Sequence, residues 1–413
     1  MALPEGARPE AEMRIPLMRP IIDEEMMEAA MQALQNERLV LGESVFKFEE
    51  EFARYVGVKY AVSTNSGTDA LQIALLALGI GRGDEVITTP ASFVASANCA
   101  LHVGAKPVFA DIDIRTYTLD PGEAKKAITE RTRAVLPVHL YGYPADMGAI
   151  MDLAEEKGFF VIEDACQAHG AIYRGRRVGS IGHVGCFSFY PSKNMTVAGD
   201  GGMITTDDEE VAEIAASLRN CGRSDWYVFE RVGFTARLNT VNAAIGLVQL
   251  KHLDEWNEAR RRIAELYRKL LSGLEGVVLP PRGNGAVKPV YHLFVIRTEH
   301  RDALADWLRS QGVECAIHYR LPIHLQPVYR RLFGFKGGEF PRAEELSRTC
   351  LSLPMWPGLT DDQVRYVCEK IEEFFDKELW RHENSPAQAL PHPNTQDSWP
   401  YIRSSVDEGK GLA

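Results

Sequence analysis

Between Glu24 and Gln35 the apolar residues Met26, Met27, Ala30, Met31 and Leu34 recur every three or four positions, the spacing of an amphipathic helix. Further helices are predicted over Ala70–Leu78 and Met147–Lys157. Among them lie short apolar runs of strand length: Glu85–Thr88, Lys106–Asp111, Ala134–Tyr141, Phe159–Asp164 and Val184–Phe189. Such runs are nearly continuous in apolar character, as strands buried on both faces are. Strands of that kind, separated by helices, imply an α/β architecture with a mostly parallel sheet.

A long helical pattern covers Ala243–Leu274, with Ile245, Leu247, Leu250 and Leu253 on its first apolar face. A chain of 413 residues exceeds one ordinary core. The long helix is therefore expected to lead from a large domain, residues 14–260, into a smaller one, residues 261–377. In the second domain strands are predicted at Tyr291–Arg297 and Val313–Tyr319, and helices at Ala303–Ser310 and Asp361–Phe375. Residues 1–13 are polar and contain proline, and residues 378–413 turn rich in Pro, Asn, Ser and Gly; both are expected to be flexible extensions.

Composition narrows the classes. Hydrophobic residues make up 45% and charged residues 25%, the balance of a soluble globular protein. No apolar stretch approaches the roughly 20 residues of a membrane helix. The first residues lack the basic start and apolar centre of a secretory signal. The seven cysteines contain no Cys-x-x-Cys pair, so neither a disulfide framework nor a metal site is expected, and a reducing cytoplasm is. A formal net charge of −11 argues against nucleic-acid and membrane-surface partners. A phosphorylated ligand would have to be met locally, by a basic patch or a helix end.

The candidate chemistry lies at the ends of two predicted strands. Val161-Ile162-Glu163-Asp164 is an apolar run ending in an acid, and Cys186-Phe187-Ser188 is a second, ending in a hydroxyl. Lys193 follows in a polar loop, 29 residues after Asp164. Open α/β sheets place ligand chemistry at the C-terminal ends of their strands. A carboxylate for a pyridine nitrogen, a hydroxyl for a phosphate and an amine for an aldehyde are together what pyridoxal 5'-phosphate (PLP) requires. Singly, Asp164 reads as a turn cap and Lys193 as a solvated charge; the ordered set is far stronger. Ser66-Gly67-Thr68 precedes a helix and offers hydroxyls, close backbone approach and free N–H groups to the same phosphate, though three such residues alone suit any N-cap. Phe93 follows another strand and could stack on a ring, or belong to the core. Gly79-Ile80-Gly81-Arg82-Gly83 is not a dinucleotide loop, because it follows a helix and precedes a strand.

From about Arg14 to Phe375 the chain resembles the sugar aminotransferases of the DegT/DnrJ/EryC1/StrS family, of PLP fold type I. The resemblance is carried by Ser66-Gly67-Thr68-Asp69-Ala70-Leu71, Gly83-Asp84-Glu85-Val86-Ile87, Val138-His139-Leu140-Tyr141-Gly142 and Glu163-Asp164-Ala165-Cys166-Gln167. Pro191-Ser192-Lys193, Gly199-Asp200-Gly201-Gly202, His318-Tyr319 and Leu351-Ser352-Leu353-Pro354-Met355 complete it. It implies a large domain built on a seven-stranded sheet flanked by helices, a smaller α+β C-terminal domain, and a homodimer with active sites shared between subunits. Carried over by position, Lys193 binds the aldehyde carbon and Asp164 the pyridine nitrogen. Gln167 neighbours the ring hydroxyl, Phe93 stacks, and Gly67, Thr68 and Ser188 hold the phosphate. His318, Tyr319 and Arg237 face the sugar or its diphosphate.

The family pattern has Asn two residues after the glycine of a Gly-x-Asn-x-Arg motif, reaching the partner subunit's cofactor phosphate. Here the run is Gly233-Phe234-Thr235-Ala236-Arg237, so Thr235 offers a hydroxyl but no amide. The implied reaction is a ping-pong transfer from an amino donor, L-glutamate, to a keto group on a nucleotide-linked sugar. Gly199-Asp200-Gly201-Gly202 resembles members acting on 3-keto rather than 4-keto sugars. Competing expectations are a sugar dehydratase, in which histidine replaces the lysine, a non-catalytic ligand-binding or regulatory protein, and an amino-acid aminotransferase.

Overall fold

The apolar runs assemble into one seven-stranded sheet in a computed structural model that describes residues 14–384. Across the sheet the order is Tyr60–Thr64, Gly202–Thr206, Val184–Ser188, Phe160–Asp164, Thr132–Leu136, Glu85–Thr88 and Lys106–Phe109. Neighbours are parallel except where Gly202–Thr206 runs antiparallel to both of its partners. Successive residues of a strand point to opposite faces. Ala134, Val135 and Leu136 are all fully buried, so both faces of the sheet are covered, and helices Gly67–Ala77 and Met147–Lys157 are among those covering them.

Several expectations meet tertiary structure and change. The run from Ala134 stops as a strand at Leu136; Leu140–Gly142 is a 3-10 turn, with Tyr141 in the left-handed region at φ 57°. Strands Tyr60–Thr64 and Gly202–Thr206 were not marked by the apolar pattern; each carries polar residues, such as Ser63 and Thr205, that are buried and hydrogen-bonded. Val313–Tyr319 is not a strand. Val313 bridges to Ile15 and Ala316 to Ser352, so its contacts go to two different segments and no ladder can extend. Helix Glu24–Asn36 buries only Met26 and Ala33, while Met27, Met31 and Leu34 are each more than half exposed.

The long helix spans Thr240–Leu271, started by the Asn239 side chain accepting from the Asn242 N–H. Its first half packs on helices Glu24–Asn36 and Glu43–Val56. Its second half buries Ile263, Ala264, Tyr267 and Leu271 in a separate core with Phe294, Leu304, Val364 and Phe374. That core is roofed by an antiparallel pair, Phe294–Arg297 with Cys350–Leu353, and by helices Arg301–Ser310 and Asp361–Asp376. Of the extension expected over 378–413, Leu379–Asn384 forms a 3-10 turn in which Trp380 stacks on His300 at 4.5 Å. The remainder of it, and residues 1–13, lie outside the described residues. Among the described residues no helix is long and apolar enough to cross a membrane.

Candidate active site

Strand Phe160–Asp164 delivers Asp164 to the C-terminal edge of the sheet. Parallel pairing continues one step past Leu136: the Asp164 N–H donates to the Pro137 carbonyl at 2.9 Å, and the Asp164 carbonyl accepts from the His139 N–H at 3.0 Å. The neighbouring strand ends at Ser188, and the chain turns so that the Lys193 N–H donates to the Tyr190 carbonyl at 2.8 Å. On the other side of the site helix Gly67–Ala77 begins, capped by Ser66 Oγ, which accepts from the Asp69 N–H at 3.1 Å. These three chain ends surround a cavity of about 460 Å³.

The cavity is lined by Gly67, Thr68, Phe93, Asp164, Gln167, Ser188, Lys193, His318 and Tyr319, nine of the residues singled out from the sequence. Thr235 and Arg237 are not among its lining. Thr235 is exposed, its hydroxyl 3.5 Å from Cys221 Sγ, and Arg237 donates to Asn220 Oδ1 at 2.8 Å. The hairpin beside them, Arg223–Asp225 with Val228–Phe229, carries Trp226, Tyr227 and Phe229 exposed to between 53% and 76%.

Asp164 is 4% exposed, and both its oxygens are engaged. Oδ1 accepts from the Cys166 N–H at 3.2 Å and Oδ2 from the Ser96 hydroxyl at 2.6 Å. Gln167 accepts from the Tyr141 N–H at 2.9 Å through Oε1, which leaves its NH2 group to donate to the Tyr319 hydroxyl at 3.2 Å. Phe93 is 54% exposed at the mouth, its ring centroid 6.2 Å from that of Tyr319. The His318–Tyr319 peptide is cis.

Electrostatically the cavity favours neutral groups. Burial pulls the Lys193 ammonium below its usual range, with Cys166 and Asp164 pulling it partly back. Burial, reinforced by the charge of Lys193, lowers the His318 imidazole to about 4 and His292 well below its usual value. The Cys166 thiol is pushed well up, chiefly by burial. An amine that is deprotonated more easily than a surface lysine is a better nucleophile toward a carbonyl carbon.

This donor set fits PLP. A Cβ on Gly67 would meet Ser188 Cβ at 2.6 Å and Cys166 Sγ at 2.9 Å, so the helix start can be brought this close only with glycine. The N–H groups of that helix start and the hydroxyls of Thr68 and Ser188 line the same cavity, donors of the kind a phosphate group would need. Asp164 is a buried carboxylate and Lys193 a desolvated amine in the same cavity, groups suited to a pyridine nitrogen and an aldehyde.

Several lining residues had not been singled out: Ser92, Ser96, Cys166, Asp200 and His292. Cys166 and Asp200 sit inside the motifs that carry the resemblance, and Ser92 next to Phe93. Ser96 and His292 have no local signal, one being a serine in a helix and the other a residue from the second core's side of the chain. Elsewhere His324, Glu339 and Glu344 bring potential metal-ligand atoms within 4.8 Å of one another, but both carboxylates already accept from loop N–H groups.

Comparison with known proteins converges on the same chemistry. The profile of the DegT/DnrJ/EryC1/StrS aminotransferase family matches residues 20–372. The chain is 45% identical over 349 residues to the dTDP-3-amino-3,4,6-trideoxy-alpha-D-glucose transaminase of Streptomyces venezuelae, covering 84% of this chain and 92% of that one. It is 44% identical over 353 residues to the pleiotropic regulatory protein of Geobacillus stearothermophilus, covering 85% and 94%. Among solved structures, S. venezuelae DesV in complex with a ketimine intermediate superposes with a TM-score of 0.85 at 43% identity, over 88% of this chain and 99% of that chain.

Proposed function

This chain belongs to the DegT/DnrJ/EryC1/StrS family of PLP-dependent aminotransferases, and on that premise we propose that it transfers an amino group from L-glutamate to a nucleotide-linked keto-sugar. The observation that carries this assignment is the convergence of Lys193, Asp164, Ser188 and the Gly67 helix start on one cavity. Bound there, PLP supplies an electrophilic carbon for amines and a ring that takes up electron density.

The chain's own residues do the rest. Asp164 holds a proton on the ring nitrogen, which is what makes the ring an effective sink. Lys193 Nζ moves the proton between carbon atoms in both half-reactions, a task its lowered pKa suits. Gly67, Thr68 and Ser188 bind the phosphate, Gln167 orients the ring edge, and Phe93 closes one ring face. His318 and Tyr319 stand where the sugar enters. In this division residues 14–260 carry the cofactor, and residues 261–377 contribute His292, His318 and Tyr319 to its cavity.

Thr235 and Arg237 act, we propose, in the cavity of a second subunit. The exposure of Thr235, the absence of both residues from the cavity lining and the exposed aromatic hairpin beside them support this, as does the uncovered Met27, Met31 and Leu34 face. Clusters of exposed apolar side chains of that kind mark association surfaces. An anionic sugar diphosphate would meet Arg237 there. The 3-keto position is favoured over the 4-keto by the Gly199-Asp200-Gly201-Gly202 run, with Asp200 in the lining, and by the 3-amino sugar in the name of the Streptomyces relative. The reaction takes place in the cytoplasm, away from nucleic acid and membrane surfaces.

The regulatory name of the Geobacillus relative favours a second assignment, ligand binding without turnover. Absorbance separates the two. Purified protein loaded with PLP should show a visible band that L-glutamate bleaches, and a dTDP- or UDP-linked 3-keto sugar should restore it. A band that neither glutamate nor any sugar nucleotide changes would favour the regulatory assignment.

A further inference from the structure

The Asp164 carboxylate is the end of a chain of hydroxyls. Ser96 Oγ lies 2.6 Å from Asp164 Oδ2, and an ionised carboxylate only accepts, so Ser96 donates. Ser92 Oγ lies 2.8 Å from Ser96 Oγ. A serine hydroxyl has one hydrogen, and that of Ser96 is committed to Asp164, so Ser92 must donate to Ser96. The polarity is thereby set: Ser92 to Ser96 to Asp164. Ser92 and Ser96 are 3% and 1% exposed, and both line the cavity. The Ser96 N–H donates to the Phe93 carbonyl at 3.2 Å, which holds the serine at the start of helix Ala95–His102. A buried helical serine ordinarily satisfies its hydroxyl on the carbonyl one turn back. Ser96 instead reaches a carboxylate 68 residues away.

We propose that Ser96, oriented by Ser92, is a positioning residue for the transamination: it fixes Asp164 in one rotamer facing the ring nitrogen. A hydroxyl donating to Oδ2 and the Cys166 N–H donating to Oδ1 together fix the plane of the carboxylate. Asp164 is only 4% exposed, so these hydrogen bonds take the place of water around it. The titratable groups around Asp164 are Lys193, Tyr319, Cys99, Cys166 and Cys186. Burial pushes the phenol and the three thiols up, so they remain neutral and supply no alternative charge to hold the carboxylate. The inference rests on the assignment of Asp164 to the ring nitrogen.

The test uses PLP-loaded enzyme carrying Ser96→Ala, Ser96→Cys, Ser92→Ala or Asp164→Asn, with thermal melting as a control for folding. Two quantities are read: the pH titration of the bound cofactor's absorbance, and the single-turnover rate with L-glutamate. Ser96→Ala is expected to shift the titration in the same direction as Asp164→Asn, by less, and to slow the half-reaction about tenfold, the scale of one hydrogen bond to a charged group. Ser92→Ala should give a smaller shift of the same sign. Ser96→Cys, close in volume but a poor donor, should resemble Ser96→Ala and serves where alanine impairs folding. If Asp164→Asn moves the titration while both Ser96 variants match wild type in titration and rate, the positioning role is overturned and the Asp164 assignment stands. If Asp164→Asn leaves the titration unmoved, that assignment fails and the role of Ser96 falls with it.

Discussion

Gly67 and Ser188 are packed so closely that a methyl group on Gly67 would stand 2.6 Å from the Ser188 Cβ. The φ of Gly67 is not positive, so space and not backbone strain demands glycine there. The contact joins the start of one helix to the end of one strand, at the edge of the cavity where we propose the cofactor phosphate binds.

Gly67→Ala should therefore weaken cofactor binding more than it weakens the fold. Overpacking of this kind costs about 1–3 kcal/mol. Falling on the cofactor site, that corresponds to roughly 5- to 150-fold in the PLP dissociation constant. Equilibrium titration of the apoprotein with PLP measures it, and an unchanged constant would remove Gly67 from the proposed phosphate site.

Asp164→Asn keeps the shape of the side chain and removes its charge. The variant should still take up PLP, because the phosphate contacts are untouched, yet its glutamate half-reaction should fall by roughly two orders of magnitude or more, the scale of acid–base assistance. Stopped-flow absorbance reads the rate directly. Near-wild-type turnover would take Asp164 out of the electron-sink role.

Arg237 does not line the cavity that holds Lys193 and Asp164, so its effect should be selective. Arg237→Ala is expected to raise KM for the sugar nucleotide about tenfold, the loss of one charge-assisted contact, while leaving the glutamate half-reaction unchanged. Equal loss in both half-reactions would show that Arg237 supports the fold or the cofactor instead.

Three imidazoles in or beneath the cavity are held neutral by burial: His318 near 4, His169 near 3, and His292 well below its usual value. Their folded pKa values lie below the unfolded value of about 6.5, so as pH falls the unfolded state takes up protons first. Native stability should decline from about pH 6.5 toward pH 4.5, above the range where most carboxylates titrate. Each histidine adds up to about 1.4 kcal/mol per pH unit in that window. Thermal melting across it should show the slope, and His318→Gln should reduce it; a melting temperature independent of pH there would contradict the burial of these rings.

Much of the site was legible because it lies in short segments with a single role each. Asp164 and Ser188 sit at the ends of continuous apolar runs with Lys193 in the loop just after the second, and strand Glu85–Thr88 and helix Met147–Lys157 have the bounds their patterns predict. Long-range partners decided the rest. Val313–Tyr319 alternates like a strand but finds two different neighbours, and Tyr60–Thr64 hides its strand character behind buried Ser63 and Thr64. Ser96 and His292 reach the cavity only through the tertiary fold, so nothing local to either residue marks it. Thr235 and Arg237 were singled out from a motif, and neither lines the cavity.

The central claim is that Lys193 carries the cofactor. Reduction of the PLP-loaded protein with borohydride, followed by digestion and mass spectrometry, locates the lysine to which the cofactor is bound. A phosphopyridoxyl group on Lys193, and its absence from Lys193→Ala treated alike, is the result the site predicts. A label on another lysine, or none at all on protein that has bound PLP, would contradict it.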